Sequence, residues 1–125
     1  MIKIDIPTPD IVITKKRNQS GETSGTELSS VYGFTDYHRI PRDKGGLILF
    51  FDKNEDLLFV GKARKLRQRV KKHFEDTVSP IKQHRDEVNK IAVCFVEDPT
   101  ERDIYETYII NKLKAKYNID KVYFR

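Results

Sequence analysis

The chain has 125 residues, which is enough for one compact domain with a modest hydrophobic core. Charged residues make up 34% of the sequence, as in soluble globular proteins, and the net charge of +5 suggests an acidic partner such as nucleic acid. No apolar run approaches the ~20 residues that cross a bilayer, and the N-terminus lacks the features of a signal peptide. We therefore expect a cytoplasmic protein without membrane contact. The single cysteine, Cys94, allows no internal disulfide and lies in an apolar run, so we expect it to fill the core.

The first 44 residues are the least patterned part of the chain. Isoleucines alternate with polar residues in residues 1–14, and Pro7 and Pro9 interrupt them, which predicts one or two short edge strands. Residues 15–30 are rich in Ser, Thr, Gly, Asn and Gln and have no apolar period, so we predict a loop. Residues 31–42 contain aromatic side chains that should pack against the domain, but they predict no particular element.

A β-hairpin follows. Gly46–Phe51 is a continuous apolar run, residues 52–56 form a polar turn, and Leu57–Val60 is a second apolar run. Two strands joined by so short a turn pair in antiparallel fashion. We expect Gly61 to end the hairpin.

The next segment, GKARKLRQRVKKHF, carries seven Lys and Arg residues, and the other residues of the chain together carry a net charge of −2. A helix is predicted from about Arg64 to Glu75, because Leu66, Val70 and Phe74 recur every four residues and form one apolar stripe. A second set repeats at the same spacing on a neighbouring face: Lys65, Arg69 and His73. A charge run taken alone is more often a solvated helix face than a binding site. The sequence around this run is therefore needed to choose between the two interpretations.

The remaining elements alternate between helix and strand. A short helix is predicted within residues 79–89, with Ser79 as its N-cap and Pro80 at its first position. A third strand follows from Lys90 to Glu97, and a final strand is predicted over residues 122–124.

A long helix lies between these two strands. Asp98 or Thr100 caps its start, and Thr100 with Asp103 resembles a capping box. The helix is predicted to reach about Ala115. Its apolar stripe is predicted to contain Ile104, Tyr108, Ile109 and Leu113.

The order of these elements predicts an α+β fold with a small, mainly antiparallel three-stranded sheet flanked by helices. We expect two parts in the chain: an N-terminal extension over residues 1–44 and the folded domain over residues 45–125.

Several short motifs in the second part resemble those of the GIY-YIG nuclease superfamily, and most closely the N-terminal nuclease domain of the excinuclease C subunit of nucleotide excision repair. The first motif, Gly-Ile-Tyr in the family, falls on Gly46-Leu47-Ile48, and the second, Tyr-Ile-Gly, falls on Phe59-Val60-Gly61. The basic segment then matches the family's run almost position for position. The family's catalytic arginine falls on Arg69 and its frequent helix histidine on His73. Its metal-binding glutamate and the asparagine of a Tyr-Asn pair fall on Glu106 and Asn118.

This resemblance implies a site for phosphodiester hydrolysis on DNA. A single carboxylate such as Glu106 suits Mg²⁺ or Mn²⁺, whose remaining ligands are commonly waters and phosphate oxygens. Arg69 would clamp phosphate oxygens and Lys62 would orient the water or bind a neighbouring phosphate. For His73, a packing role and a functional role are equally supported. The other cations expected to contact DNA phosphates are Arg64, Lys65, Arg67, Lys71 and Lys72.

Both signature tyrosines are absent. Ile48 stands at the first position and Phe59 at the second, so neither hydroxyl that the family uses near the attacking water is present. Tyr32 and Tyr37 are the first candidates for a substitute base. The sequence therefore supports two hypotheses: a slow metal-dependent DNA endonuclease, or a DNA-binding module that has lost catalysis. A weaker third hypothesis assigns the N-terminal segment to a protein partner. The oligomeric state is not predicted.

Overall fold

The computed structural model describes residues 6–14, 39–75, 81 and 83–118. Within them, four strands form one sheet in the order β1-β4-β2-β3, and each neighbouring pair is antiparallel. The strands are β1 (Ile11–Thr14), β2 (Gly46–Phe51), β3 (Leu57–Ala63) and β4 (Lys90–Phe95). Two α-helices, α1 (Leu66–Glu75) and α2 (Pro99–Leu113), accompany the sheet, with a 3-10 turn at Arg85–Glu87. None of the helices in the described ranges is long and apolar enough to cross a membrane.

The α+β class and the antiparallel sheet flanked by helices are confirmed. The predicted strand count of three is too low, because the edge strand expected in the N-terminal extension joins this same sheet. It is β1, which pairs with β4 so that Ile13 lies opposite Ile91. Only tertiary contact could reveal this pairing, since the two strands are far apart in sequence.

Each face of the sheet carries its own hydrophobic cluster. On the first face, Ile48, Phe50 and Val93 pack beneath α1. The stripe predicted for this helix is confirmed, because its members are all buried in that cluster: Leu66, Val70 and Phe74. On the second face, the sheet packs against Ile109 and Ile110 of α2, with Cys94 buried in the same cluster as expected.

Several element boundaries differ from those predicted from the sequence. The hairpin does not end at Gly61, because β3 continues to Ala63 through a ladder in which Gly46 pairs with Ala63 and Ile48 with Gly61. Helix α1 therefore begins two residues later than predicted, at Leu66, whose N–H donates to the carbonyl of Lys44 (2.9 Å). Strand β4 ends at Phe95 rather than Glu97.

The apolar stripe predicted for α2 is confirmed at Tyr108 and Ile109, which pack in the cluster on the second face, and is wrong at Ile104 and Leu113. Ile104 and Leu113 are 48% and 43% exposed, while the buried face carries Arg102 and Glu106 followed by Ile109 and Ile110. Glu106 lies four residues after Arg102, and Ile109 and Ile110 lie three and four residues after Glu106, as one helix face requires. Ile104 lies midway between Arg102 and Glu106 and so points away from the sheet.

The ends of α2 also differ from the prediction. Asp98 rather than Thr100 is the N-cap: its carboxylate accepts from the N–H of Thr100 (3.2 Å), with Pro99 in the first turn. The predicted capping box of Thr100 with Asp103 therefore does not form. The helix stops before Ala115 because Lys114 adopts the left-handed conformation, with φ 55°.

Residues after α2 cover the outer edge of β3. The N–H of Lys116 donates to the carbonyl of Leu57 (3.2 Å), and that of Tyr117 to the carbonyl of Leu58 (2.8 Å). An exposed strand edge invites pairing with another chain, and this segment occupies it.

Some predictions fall outside the described residues. These are the helix start at Ser79 and Pro80, the final strand over residues 122–124, and the positions of Tyr32 and Tyr37. Within the described part of residues 79–89, the predicted helix is reduced to the 3-10 turn.

Candidate functional site

A cavity of about 530 Å³ lies where the end of β3, the exposed face of α1 and the first turn of α2 meet. We call it the basic groove. Among the described residues that line it, six are Lys or Arg and one is acidic. The lining consists of Lys62, Ala63, Arg64, Lys65, Gln68, Arg69, Lys72, Pro99, Arg102 and Asp103.

The packing of α1 directs Arg69 into the basic groove. Because Leu66 and Val70 are buried against the sheet, the exposed side of the helix faces solvent. There Arg69 and Lys72 line the groove together with Arg64 and Lys65 of the preceding segment. Two other cations predicted to bind DNA, Arg67 and Lys71, do not line it. The predicted set therefore divides between the two sides of the helix.

Lys62 reaches the basic groove because β3 continues past Gly61. Its ammonium makes a salt bridge with Asp103 and lies 4.0 Å from Oε1 of Glu106. The hydrogen bond to Asp103 raises the pKa of Lys62, partial burial opposes the rise, and the charge of Glu106 adds to it. Lys62 is a cation at neutral pH even with an ordinary pKa, and the raised pKa extends that state to higher pH, which suits binding of an anion better than abstraction of a proton.

Glu106 lies on the buried face of α2 and is only 4% exposed. It is not part of the groove lining, and Lys62 connects the two. A buried carboxylate requires a charged or hydrogen-bonding partner to offset its desolvation. The Lys62 ammonium supplies a positive charge next to Glu106, at the mouth of the basic groove.

The chemistry of Asp103 and Glu106 fits a hard divalent cation. They lie three residues apart on α2, and Lys62 contacts or approaches both. In the part of the chain that the structure describes, no group of three or more His, Cys, Asp or Glu side chains is placed to hold a metal ion. Mg²⁺ is commonly held by only one or two carboxylates with waters and phosphate oxygens, so the two side chains are sufficient for it.

Arg102 has a structural role that the sequence did not suggest. Its Nε donates to the carbonyl of Val96 and its Nη2 to that of Glu97, both at 2.7 Å. The guanidinium packs closely over Gly45, where a Cβ would lie 2.5 Å from Nη2. Arg102 thereby ties the loop after β4 to α2 while forming one wall of the basic groove.

His73 lies in an aromatic cluster beneath α1. Its ring makes edge contacts with Phe59 (4.9 Å between centroids) and Phe50 (5.6 Å), and the residue is 8% exposed. Gly61 makes this packing possible, because a Cβ there would lie 2.9 Å from the Phe59 ring and 3.5 Å from Nε2 of His73. This is the packing role that the sequence left open, and a catalytic role for His73 stays a prediction.

The two positions without tyrosine are both buried. Ile48 is fully inaccessible in the cluster beneath α1, and Phe59 stacks on Phe50 with ring centroids 5.9 Å apart. Neither side chain can donate or accept a hydrogen bond. This part of the molecule is an apolar wall.

Asn118 has a clear structural function. Its side-chain oxygen accepts from the N–H of Val60 (2.8 Å), and its amide donates to the carbonyl of the same residue (2.9 Å). This pair of hydrogen bonds extends the coverage of the β3 edge by residues 116–118. Asn118 thus fixes the strand that carries Phe59 and Lys62.

Sequence reasoning missed Asp103 as a site residue and assigned it only to the helix cap. The available signal was its position three residues before Glu106, which places both on neighbouring parts of one helix face. Its contact with Lys62 spans 41 residues of sequence and could not be inferred from local pattern.

Comparison with known proteins places residues 44–119 within a family model described as the UvrC-like GIY-YIG domain. Over all 125 residues the chain is 64% identical to the YurQ protein of Bacillus subtilis (strain 168), covering 100% of both. It is 37% identical over 93 residues to the UvrABC system protein C of Nautilia profundicola, covering 65% of this chain and 15% of that protein. The chain thus matches less than one fifth of that relative's length.

Solved structures share the fold. The N-terminal GIY-YIG endonuclease domain of UvrC from Thermotoga maritima, in a variant with one tyrosine replaced by phenylalanine and bound to its catalytic divalent cation, matches with a TM-score of 0.55. The identity is 25%, and the match covers 62% of this chain and 85% of that one. The same domain bound to magnesium matches with the same TM-score at 23% identity.

Proposed function

Because the chain belongs to the UvrC-like GIY-YIG domain family, we propose that it binds DNA in the basic groove and slowly hydrolyses a phosphodiester bond there, with a divalent cation at Glu106. The observation that carries this proposal is the position of Lys62. It lines the same cavity as Arg69 and lies 4.0 Å from the buried carboxylate of Glu106. One side chain therefore joins the anion-binding surface to the acidic group.

The charge of the groove supports DNA as the partner. Six Lys and Arg residues line it against the single carboxylate of Asp103. Cations that neutralise phosphates supply much of the affinity of proteins for DNA, without reading its sequence. We therefore propose phosphate binding with little base specificity.

Arg69 and Lys62 have different roles in this proposal. The planar guanidinium of Arg69 can bind two oxygens of one phosphate at once. Lys62, a cation at neutral pH, donates to a phosphate oxygen as a point charge. Both groups stabilise the negative charge that grows on the phosphate during hydrolysis.

Glu106, with Asp103 beside it, would hold Mg²⁺ or Mn²⁺. When bound, such a cation supplies charge neutralisation at the phosphate and makes a coordinated water more acidic. Lys62 contacts Asp103 and lies 4.0 Å from Glu106, so its side chain has to move or share these carboxylates when a cation is present.

We expect slow hydrolysis because the attacking water lacks two hydroxyl partners. Ile48 and Phe59 pack in the core and cannot take a proton or orient a water. Loss of a general base typically lowers the rate by ~10²–10⁴.

A supercoiled-plasmid nicking assay with Mg²⁺ or Mn²⁺ tests the proposal. The Glu106→Gln variant removes the carboxylate charge, and Glu101→Gln is the matched control because Glu101 is exposed in the first turn of the same helix. We expect slow nicking by the unaltered protein and by Glu101→Gln, and none by Glu106→Gln. Nicking that persists in Glu106→Gln would contradict the assignment of the metal site.

The second candidate is a DNA-binding module without catalysis. The burial of Ile48 and Phe59 in an apolar wall favours it, because no hydroxyl is offered to a water from these two positions. Binding of DNA by the unaltered protein, together with no metal-dependent nicking at any protein concentration, would replace the first candidate with the second.

A further inference from the structure

A second basic cavity lies on the other side of α1. Its volume is about 350 Å³, and it is lined by Arg42, Lys65, Arg67, Gln68 and Lys71. We call it the outer basic pocket. Four of these five residues are cationic and none is acidic or apolar. It contains the two cations of α1 that do not reach the basic groove, Arg67 and Lys71.

Arg42 comes from the N-terminal extension, and the structure holds that segment against α1. Ile40 is fully buried in the core cluster beneath the helix, and its carbonyl accepts from Nε of Arg67 (2.6 Å). The carbonyl of Lys44 accepts from the N–H of Leu66 (2.9 Å). Arg42 therefore lies on a backbone that is anchored on both sides.

The two cavities are neighbours on the surface of α1. Lys65 and Gln68 line both of them, so a strip of positive charge crosses the exposed face of α1 from the groove to the extension. With its side chains a helix is ~10–12 Å across, which equals about three base pairs of duplex at ~3.4 Å each. A duplex held in the groove is long enough to reach the outer basic pocket as well.

We propose that the outer basic pocket binds phosphates of the same DNA beyond the groove, and that Arg42 makes the N-terminal extension part of the nucleic-acid surface. This inference rests on the proposed function. The family model begins at residue 44, so the contribution of Arg42 lies outside it. The extension thereby enlarges the footprint on DNA without adding a group that takes part in hydrolysis.

The chemistry of the lining favours DNA over a protein partner. Protein interfaces are anchored by buried aromatic side chains and arginine and are depleted of lysine, whereas this lining has no aromatic side chain and two lysines. Arginine and lysine around a polar cavity are instead typical of contacts with phosphate oxygens.

The test measures the affinity for a labelled duplex of about 20 base pairs, ~70 Å long, by fluorescence anisotropy at several salt concentrations. Arg42→Gln removes the cation from the extension. Lys53→Gln is the matched control, because Lys53 is an exposed cation in the hairpin turn, in a different cavity. Arg69→Gln reports on the basic groove itself. Thermal unfolding of each variant checks that its fold is intact.

We expect Arg42→Gln to bind about 5–10-fold more weakly near 0.1 M salt and to lower the salt slope by about one, while Lys53→Gln binds like the unaltered protein. Equal affinities for Arg42→Gln and the unaltered protein, with Arg69→Gln weakened, would overturn this inference and leave the proposed function intact. Two results would overturn the proposed function and this inference with it. The first is that the unaltered protein does not bind DNA, and the second is that Arg69→Gln binds DNA as tightly as the unaltered protein.

Discussion

The two helices pack on opposite faces of one sheet and differ in the side chains that they bury. Helix α1 buries mainly apolar side chains, and α2 buries two charged side chains besides apolar ones. Helix α1 buries an apolar stripe beneath which Ile48 and Phe50 lie, and it directs its cations to the surface. Helix α2 buries Arg102 and Glu106 next to Ile109 and Ile110. Most positive charges of α1 are therefore exposed to solvent, with Arg67 partly buried against Ile40, whereas two charges of α2 are buried and have partners inside the molecule.

This difference separates two tasks. Exposed cations on α1 can bind a polyanion at little cost to stability, because they remain hydrated when the site is empty. A buried carboxylate such as Glu106 is costly to hold and is found where a fixed charge serves the chemistry. In the proposed function α1 therefore provides the affinity for DNA and α2 the acidic group. Arg102 of α2 also holds the residues after β4 through its hydrogen bonds to Val96 and Glu97.

The largest expected effect concerns the apolar stripe. Phe74→Ala should lower the free energy of unfolding by about 3–5 kcal/mol, because it opens a cavity beneath α1. Ile104→Ala is the matched change on α2, where the side chain is 48% exposed, and should change it by less than about 0.5 kcal/mol. Urea unfolding followed by circular dichroism measures the free energy of unfolding of both variants. Equal losses for the two variants would show that Ile104 is part of the core.

A second pair of variants compares the arginines of the two helices. Arg102→Met removes two hydrogen bonds to the carbonyls of Val96 and Glu97 and should destabilise the fold by about 2 kcal/mol. Arg69→Met, on the exposed face of α1, should leave the free energy of unfolding within about 0.5 kcal/mol of the unaltered protein. If Arg102→Met is as stable as Arg69→Met, the hydrogen bonds of Arg102 contribute nothing to the free energy of unfolding.

The helices also differ in how far the sequence could predict them. The stripe of α1 was correct because every buried position in its period is apolar, apart from His73. The stripe of α2 is wrong at Ile104 and Leu113 because charged residues are usually assigned to the surface, and here Arg102 and Glu106 occupy the buried face. Local pattern cannot show that a buried guanidinium will find the free carbonyls of Val96 and Glu97.

The candidate site was predicted in part. Arg69, Lys62 and Glu106 came from motif positions, and the structure brings Arg69 and Lys62 to one cavity. Asp103 was missed because its salt bridge with Lys62 depends on β3 continuing past Gly61. That continuation is decided by pairing with Gly46–Phe51 rather than by the residues of β3 alone.

Restoring hydroxyls on the α1 side tests the apolar wall. The double change Ile48→Tyr and Phe59→Tyr should raise the rate of plasmid nicking by at least about tenfold, as a fraction of what a general base contributes. The rescue should be partial, because Ile48 is fully buried and the larger ring should cost about 1–3 kcal/mol of stability. The single Phe59→Tyr variant avoids that cost. Vigorous nicking by the unaltered protein would show that the wall does not weaken the site.

The smallest expected effect concerns Asp103. Asp103→Asn should lower the pKa of Lys62 toward its ordinary value, because the hydrogen bond to the carboxylate is what chiefly raises it. In the unaltered protein the pair stabilises the fold below the ordinary lysine pKa, and this stabilisation is lost as the pH rises through the elevated value. Titration of the Lys62 side chain by NMR measures the shift.

The same variant should bind DNA several-fold more tightly, since it removes the only acidic residue among the described residues of the groove lining. The control is Glu101→Gln, which changes an exposed charge outside the lining. An unchanged pKa of Lys62 in Asp103→Asn would contradict the contact.

The salt dependence of DNA affinity tests whether α1 and the basic groove bind phosphates. If three phosphates are contacted, the affinity of the unaltered protein should fall roughly 40-fold between about 50 and 200 mM salt, with a slope of ~0.9 per phosphate. The double variant Arg69→Gln and Lys72→Gln should show a slope smaller by nearly two. An affinity that stays flat across this range, or a slope that the double variant does not change, would contradict the account.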